Sequence, residues 1–303
     1  MISALSLRYF GQVVRSGSFR AAAISLCVAP SAISRQIAVL EEELDAPLLK
    51  RGRGRSVLKL MSAGEMLIQL VNSTDNEMER VRSDIEALKG IRRGPIHLGA
   101  PETFSRDFLP GFFARFNERY PGITYRVSVH GTPRLIQMVA ADELDVALSF
   151  NPPLQPEVKH IYEHILPTRL LVSSGHPLFH RESVRLSDCA EYGLALPDAS
   201  IGAKQIYDEM FAKAGIRPRS VLVTNSYELR RSAAAAGLAI SLVNELLSQR
   251  PEVHTGHRYI PIKDARVKPQ RMTLCVRKGR SLSVIALTFI EHLLLAFKQL
   301  ETS

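Results

Sequence analysis

Cysteine is scarce, with three among 303 residues. Cys27, Cys189 and Cys275 stand far apart and share no metal-ligand spacing, which excludes a structural zinc site of the usual sequence pattern. Cys27 closes an apolar helical stretch and is expected to be a small core residue. Cys189 and Cys275 share one half of the chain and leave a thiol switch open. No window of about 18 uninterrupted apolar residues occurs, so no membrane span is expected. Met1 to Phe10 carries Arg8 inside an amphipathic pattern and no signal-peptide apolar core, so a cytoplasmic protein is expected. Also missing are the G-x-S-x-G elbow, H-E-x-x-H and the P-loop. His97, His130, His176 and Ser174 are scattered, and no catalytic residue, metal or cofactor is expected.

What is present is the composition of a globular protein, 46% hydrophobic and 23% charged. The length suits one small domain plus a larger one. The formal net charge is +9, but residues 91–303 spread 27 basic and 20 acidic groups without clusters. Residues 50–59 instead hold Lys50, Arg51, Arg53, Arg55 and Lys59 with no acid. That local cluster, more than the total, points to a polyanionic partner.

The stretch Leu7–Gly64 organises the chain. Ile33, Ile37, Leu40 and Leu44 recur at four, three and four residues, one apolar stripe of a helix over 30–44. Ser31, Ser34, Arg35 and Ala38 fall opposite. Small hydroxyls allow close approach to a duplex, and an arginine can fork onto guanine. Upstream, Ser18 caps a short helix from Phe19 to Leu26, with Cys27 to Ala29 as the turn. The pair reads as a helix-turn-helix, although pattern alone also fits a plain helical hairpin. Around Gly52 and Gly54, two short extended pieces form a β-hairpin. Its arginines suit either a solvated turn or a wing gripping the DNA backbone or minor groove.

Leu7-Arg8-Tyr9-Phe10, Gly17-Ser18-Phe19, Ala21-Ala22-Ala23, Ser31 to Ile37, Leu40 to Leu44 and Pro47-Leu48-Leu49 together resemble the winged helix-turn-helix of the LysR-type transcriptional regulators. The likeness covers the first sixty-odd residues in order and spacing. This chain has Ala29-Pro30-Ser31 where the family usually has Ser-Gln-Pro, so a base-reading glutamine is missing and Ser31 stands in part in its place. The resemblance implies an all-α winged helix-turn-helix domain at 1–61, binding double-stranded DNA through Ser18, Pro30, Ser31, Ser34, Arg35, Arg51, Arg53 and Arg55. The operator it implies is an imperfect inverted repeat.

Ser62-Ala63-Gly64-Glu65 reads as a capping box opening a long helix to about Lys89. Met78, Val81, Ile85 and Leu88 make a narrow apolar seam suited to a second copy of the helix; packing on the chain's own C-terminal part is the other reading. The family resemblance makes 62–90 a dimerising linker and the assembly a homodimer or homotetramer.

Beyond residue 91, strands near 96–100, 125–129 and 145–150 alternate with helices near 108–120 and 133–140, an order that predicts a parallel sheet. A second set runs from 169 to 242, with crossing strands expected at 159–163 and 266–269. A last strand at 271–276 and helix at 282–300 are expected to return to the first lobe. Together with Ser174 to Leu178 and Ala235 to Ile240, which resemble further family landmarks, this gives an α/β two-lobed effector domain of periplasmic-binding-protein-like type at 91–303. Lobe I takes 91–161 and 269–303, and lobe II takes 162–268.

Ligands of parallel sheets sit at strand carboxyl ends beside helix N-termini. Four such ends, at 102–105, 131–133, 199–201 and 224–226, offer hydroxyls, amides and backbone N–H groups. Singly each is an ordinary helix cap; together they suggest a cleft for a small organic acid. The candidate effector-binding residues are Glu102, Thr103, Phe104, Gly131, Thr132, Ser149, Phe150, Ser200, Ile201 and Asn225. Glu102 is the unexpected member: it faces solvent, pairs with Arg106, or selects a ligand bearing a donor. The readings are then an effector-controlled regulator, a thiol-responsive regulator of the same architecture, or a two-lobed solute-binding protein or enzyme. The last two lack an export signal and a catalytic motif.

Overall fold

The computed structural model describes residues 2–50, 58–89, 93–106, 108–244 and 256–301. The chain divides into two compact units, Met1–Arg82 with Ala141–Glu143, and Ser83–Ala140 with Leu144–Ser303.

In the first unit, α1 (Ala4–Ser16) is capped by Ser3, whose hydroxyl accepts from the Leu5 N–H, and ends at Gly17 with φ 68°. Ser18 caps α2 (Phe19–Leu26) by accepting from the Ala21 N–H. Helix α3 (Pro30–Glu43) starts on Pro30 without a side-chain cap at Ala29. The α3 stripe Ile33, Ile37 and Leu40 is buried against Phe10, Val13, Ala22, Ala23 and Leu48. At the end of α3, Glu41 Oε1 accepts from the Leu48 and Leu49 N–H groups and fixes the exit of the chain.

Strands β1 (Leu49–Lys50) and β2 (Lys59–Leu60) pair antiparallel, the frame of the expected hairpin; its tip, with Arg51, Arg53 and Arg55, lies outside the described residues. Helix α4 (Ser62–Leu88) follows. A Cβ on Gly64 would lie 2.2 Å from the Leu48 carbonyl oxygen, so the first turn of α4 can rest on β1 only with glycine there. Cys27 corrects the sequence reading: it is exposed. It occupies the C-cap of α2 with φ 53°, a left-handed turn that carries its side chain away from the core.

The second unit holds two five-stranded sheets. The first contains β3 (Arg93–Ala100), β4 (Gly122–Val129), β5 (Val146–Phe150), β6 (Val158–Leu166) and β12 (Gln270–Arg277), in the order β4-β3-β5-β12-β6. Its β3, β4 and β5 are parallel as expected, but β12 runs antiparallel to both β5 and β6, making the sheet mixed. Helices α5 (Leu109–Arg119), α6 (Thr132–Ala140) and α9 (Val284–Glu301) cover it. Phe104, Phe108, Phe112, Phe116, Phe289 and Phe297 interlock in its core. Each such ring contributes about 1.5–3 kcal/mol on burial.

The second sheet runs β11-β7-β10-β8-β9. It comprises β7 (Arg169–Ser173), β8 (Gly193–Pro197), β9 (Arg219–Thr224), β10 (Ile240–Val243) and β11 (His257–Pro261), with α7 (Ala203–Lys213) and α8 (Tyr227–Ala235). Strand β11 is not expected from sequence. The strand expected at 266–269 is a turn and connector, because Arg266 folds back onto Asp264 in a bidentate pair at 2.7–2.8 Å. The crossing strands are β6 and β12.

Candidate functional site

A cavity of about 840 Å³ opens between the lobes of the second unit. All four strand ends singled out in the sequence reach it. Glu102, Thr103, Gly131, Thr132, Phe150, Ser200, Ile201 and Asn225 line it. Phe104 and Ser149 do not. Phe104 is fully buried behind the wall and stacks on the Phe150 ring at 5.6 Å. Ser149, also fully buried, donates to the Thr273 carbonyl at 3.3 Å and touches Cys275 Sγ at 3.4 Å. Being mid-sheet, its side chain stays in the sheet's interior, short of the strand end.

Several lining groups are already engaged. The Thr132 hydroxyl donates to the Phe150 carbonyl and accepts from the Phe150 N–H, both at 3.0 Å. The Ser200 hydroxyl donates to Asp198 Oδ1 at 2.6 Å. A Cβ on Gly131 would sit 2.8 Å from the Ser200 carbonyl oxygen, so the bare α-carbon lets the two lobes meet at this lip. Thr103 and Asn225 side chains make no hydrogen bond among the described residues.

Glu102 neither faces solvent nor pairs with Arg106. Its carboxylate reaches the opposite lobe, accepting from Ser226 Oγ at 3.1 Å and from the Tyr227 backbone N–H. These are the first donors of α8, where a helix carries partial positive charge. Ser226 also accepts from the Leu229 N–H as an ordinary N-cap. The Arg106 guanidinium lies 3.7 Å from Glu228 on the same helix. Glu228 is held below the usual carboxylate range chiefly by its bidentate partner Arg231, with Ser232 and Arg106 adding to the effect.

Sequence reasoning misses Asn151, Tyr207, Tyr227, Arg230, Asn244 and Gln270 of the lining. Asn244 follows strand β10 and is open to the same strand-end rule. Arg230 lies one helical turn beyond Ser226, so an i, i+4 reading from that cap would find it. Tyr207 is carried in by tertiary packing and leaves no local signal.

The two inner cysteines sit in separate cores, Cys189 in the second lobe and Cys275 in the first sheet. Burial pushes the Cys189 thiol up to about 12 and the Cys275 thiol up to about 11. Among the described residues, no group of three or more His, Cys, Asp or Glu could hold a metal ion. Nor is any single helix long and apolar enough to cross a membrane.

In the first unit, the axes of α2 and α3 turn by 112° at Cys27–Ala29, the geometry of a helix-turn-helix. Ser18, Pro30, Ser31 and Arg35 are exposed and Ser34 is half-buried. Gln36, on the flank of α3, accepts from Ser6 Oγ at 2.8 Å and ties α3 to α1.

A helix-turn-helix whose second helix exposes hydroxyls and an arginine, in one chain with a two-lobed cleft of strand-end donors, defines a ligand-responsive DNA-binding regulator. The family model "Bacterial regulatory helix-turn-helix protein, lysR family" matches residues 5–65, and "LysR substrate binding domain" matches residues 89–298. The chain therefore belongs to the LysR family of transcriptional regulators and is not an enzyme. It is 28% identical over 295 residues to the RuBisCO operon transcriptional regulator of Allochromatium vinosum, covering 97% of this chain and 96% of that one. Its fold is similar to that of full-length CbnR in complex with target DNA, with a TM-score of 0.69 at 22% identity over 96% of this chain and 99% of that one. A full-length OxyR variant from Pseudomonas aeruginosa gives 0.73 at 18% identity, over 98% and 95%.

Proposed function

We propose that this regulator binds an imperfect inverted-repeat operator as a homodimer or homotetramer in the cytoplasm, and that a small organic acid in the inter-lobe cavity modulates that binding. Residues 1–61 form the DNA-binding domain, 62–90 the dimerising helix, and 91–303 the effector domain; because β6 pairs with β12 as far as Leu166, lobe I runs to 166 rather than to the expected 161 and resumes at 269, and lobe II takes 167–268. Arg35 reads a base edge, Ser18, Pro30, Ser31 and Ser34 shape the contact with the duplex, and Arg51, Arg53 and Arg55 grip its backbone. The observation that carries the effector reading is the cavity itself, into which four separate strand ends converge. The dimer reading is supported by Met78, Val81, Ile85 and Leu88, which are exposed along α4 at 52%, 44%, 48% and 88%. Footprinting of the DNA flanking this protein's own gene, with and without small organic acids, tests the proposal. A protected inverted repeat whose pattern or affinity shifts with one acid is the expected result. Binding without sequence preference, or indifference to every acid, would refute it.

A further inference from the structure

The anion-binding feature most obvious in the cavity is the α8 N-terminus, and the protein's own Glu102 already occupies it. A ligand carboxylate directed there would meet another carboxylate. One turn further along α8, Arg230 lines the cavity and is 4% exposed. Its Nε is buried without a hydrogen-bond partner among the described residues. Its Nη1 reaches the Leu242 carbonyl at 3.5 Å, and its guanidinium lies 5.3 Å from the centre of the Tyr227 ring. No carboxylate pairs with it among the described residues. Tyr207 and Asn244 stand beside it: the Tyr207 hydroxyl is 3.2 Å from both the Leu242 carbonyl and Asn244 Oδ1. Burial raises the pKa of that phenol, and the neighbouring Arg230 guanidinium offsets part of the rise. A buried cation held by a long carbonyl contact, a neutral phenol and a ring face is destabilising on its own, and such charges persist when an anionic partner completes them. The other lining arginine, Arg134, is already engaged within the protein.

We propose that Arg230 is the anion-recognising residue of the cavity, and that its ligand is a monocarboxylate seated against Arg230 between Tyr207, Tyr227 and Asn244. This rests on the effector-cavity reading and specifies it. One cation that no carboxylate pairs with among the described residues matches one ligand carboxylate. A second carboxylate on the ligand would find no further open cation among the described lining residues and would meet Glu102, so dicarboxylates are disfavoured. The remainder of the ligand lies along Phe150, Ile201 and the Asn151 and Gln270 amides, a wall that suits an apolar body or hydroxyl groups.

The test is calorimetric titration of the full-length protein with sodium acetate, lactate and benzoate, the matching amides, and sodium succinate. At least one monocarboxylate is expected to bind saturably, its amide and succinate more weakly. Arg230→Gln should lose about 30-fold or more in affinity, as for truncation of one side of a buried charge pair, and Arg230→Lys should recover part of it. Melting curves establish that each variant folds. Ile201→Trp, which adds bulk to the wall along which the ligand body lies, separates the two readings. If carboxylate binding survives in Arg230→Gln but is lost in Ile201→Trp, the cavity reading stands and the Arg230 assignment is overturned. Binding that survives in both variants overturns both. Failure of all three monocarboxylates to bind below about 50 mM, far weaker than the millimolar end of the usual affinity scale, likewise overturns the Arg230 proposal, as does tighter binding of succinate.

Discussion

Replacing Glu102 by glutamine removes the charge that bridges the two lobes. In the native protein both carboxylate oxygens accept from donors at the start of α8, Ser226 Oγ and the Tyr227 N–H. The glutamine can keep its oxygen on the Tyr227 N–H and turn its NH2 toward Ser226 Oγ, whose hydroxyl then accepts instead of donating, so both charge-assisted bonds become neutral ones and the negative charge at the helix start is lost. Hydrogen bonds to a charged group contribute about 1.5–3 kcal/mol, and that range already contains the interaction with the helix terminus, about 0.3–1 kcal/mol at exposed sites and up to ~2 when partly buried. A loss of about 2 kcal/mol follows. For a folding unit of this size, roughly 2–4 °C per kcal/mol, the Tm of the effector domain should fall by about 4–8 °C. Differential scanning calorimetry of the full-length protein reads this directly. Glu102→Asp is expected to behave like Glu102→Gln, because the shorter side chain does not span the gap. A double-mutant cycle with Ser226→Ala should return a coupling of about 1 kcal/mol, within the range for residues in direct contact. An unchanged Tm, or strict additivity with Ser226→Ala, would show that Glu102 does not join the lobes.

The DNA-facing assignment predicts that Arg35→Ala weakens operator binding by about 1–3 kcal/mol and relaxes its sequence preference, while Arg53→Ala weakens all sequences alike and lowers the salt slope by about 0.9. Gel shifts on specific and scrambled DNA across a salt series separate the two, and unchanged specificity in Arg35→Ala would overturn the recognition-helix assignment. A charge in the α4 seam, Ile85→Asp, should convert the oligomer to a monomer at micromolar concentration in sedimentation velocity; an unchanged sedimentation coefficient would place the interface elsewhere. Maleimide labelling of the native protein near neutral pH should modify Cys27 alone. The raised pKa values of Cys189 and Cys275 leave a negligible thiolate fraction there, and mass spectrometry showing rapid labelling of either would contradict their burial.

The two helices of the helix-turn-helix are legible to within a residue because each carries its own local signal: Ser18 as a cap, Pro30 at a helix start, and the Ile33, Ile37, Leu40 stripe. Cys27 misleads because apolar context suggests a core, whereas its burial depends on a backbone angle that periodicity does not show. In the effector domain, the βα alternation and strand-end rule locate four walls of the cavity. Strand β11 escapes them because its pairing with β7 joins residues far apart in the chain, His257 with Ser173, and no local pattern encodes that. The same holds for Glu102, whose partner Ser226 is 124 residues away. Its residue type is visible as anomalous, but its destination is not.

Several side chains of the cavity wall are held by the protein's own hydrogen bonds. Thr132 is clasped on both sides to Phe150, Ser200 to Asp198, and Glu102 to Ser226 and Tyr227. At these positions a ligand meets side chains whose rotamers are already set, and forfeits little entropy in ordering them. Discrimination between chemically similar ligands then falls on residence time: compounds should arrive at comparable rates and differ in how long they stay.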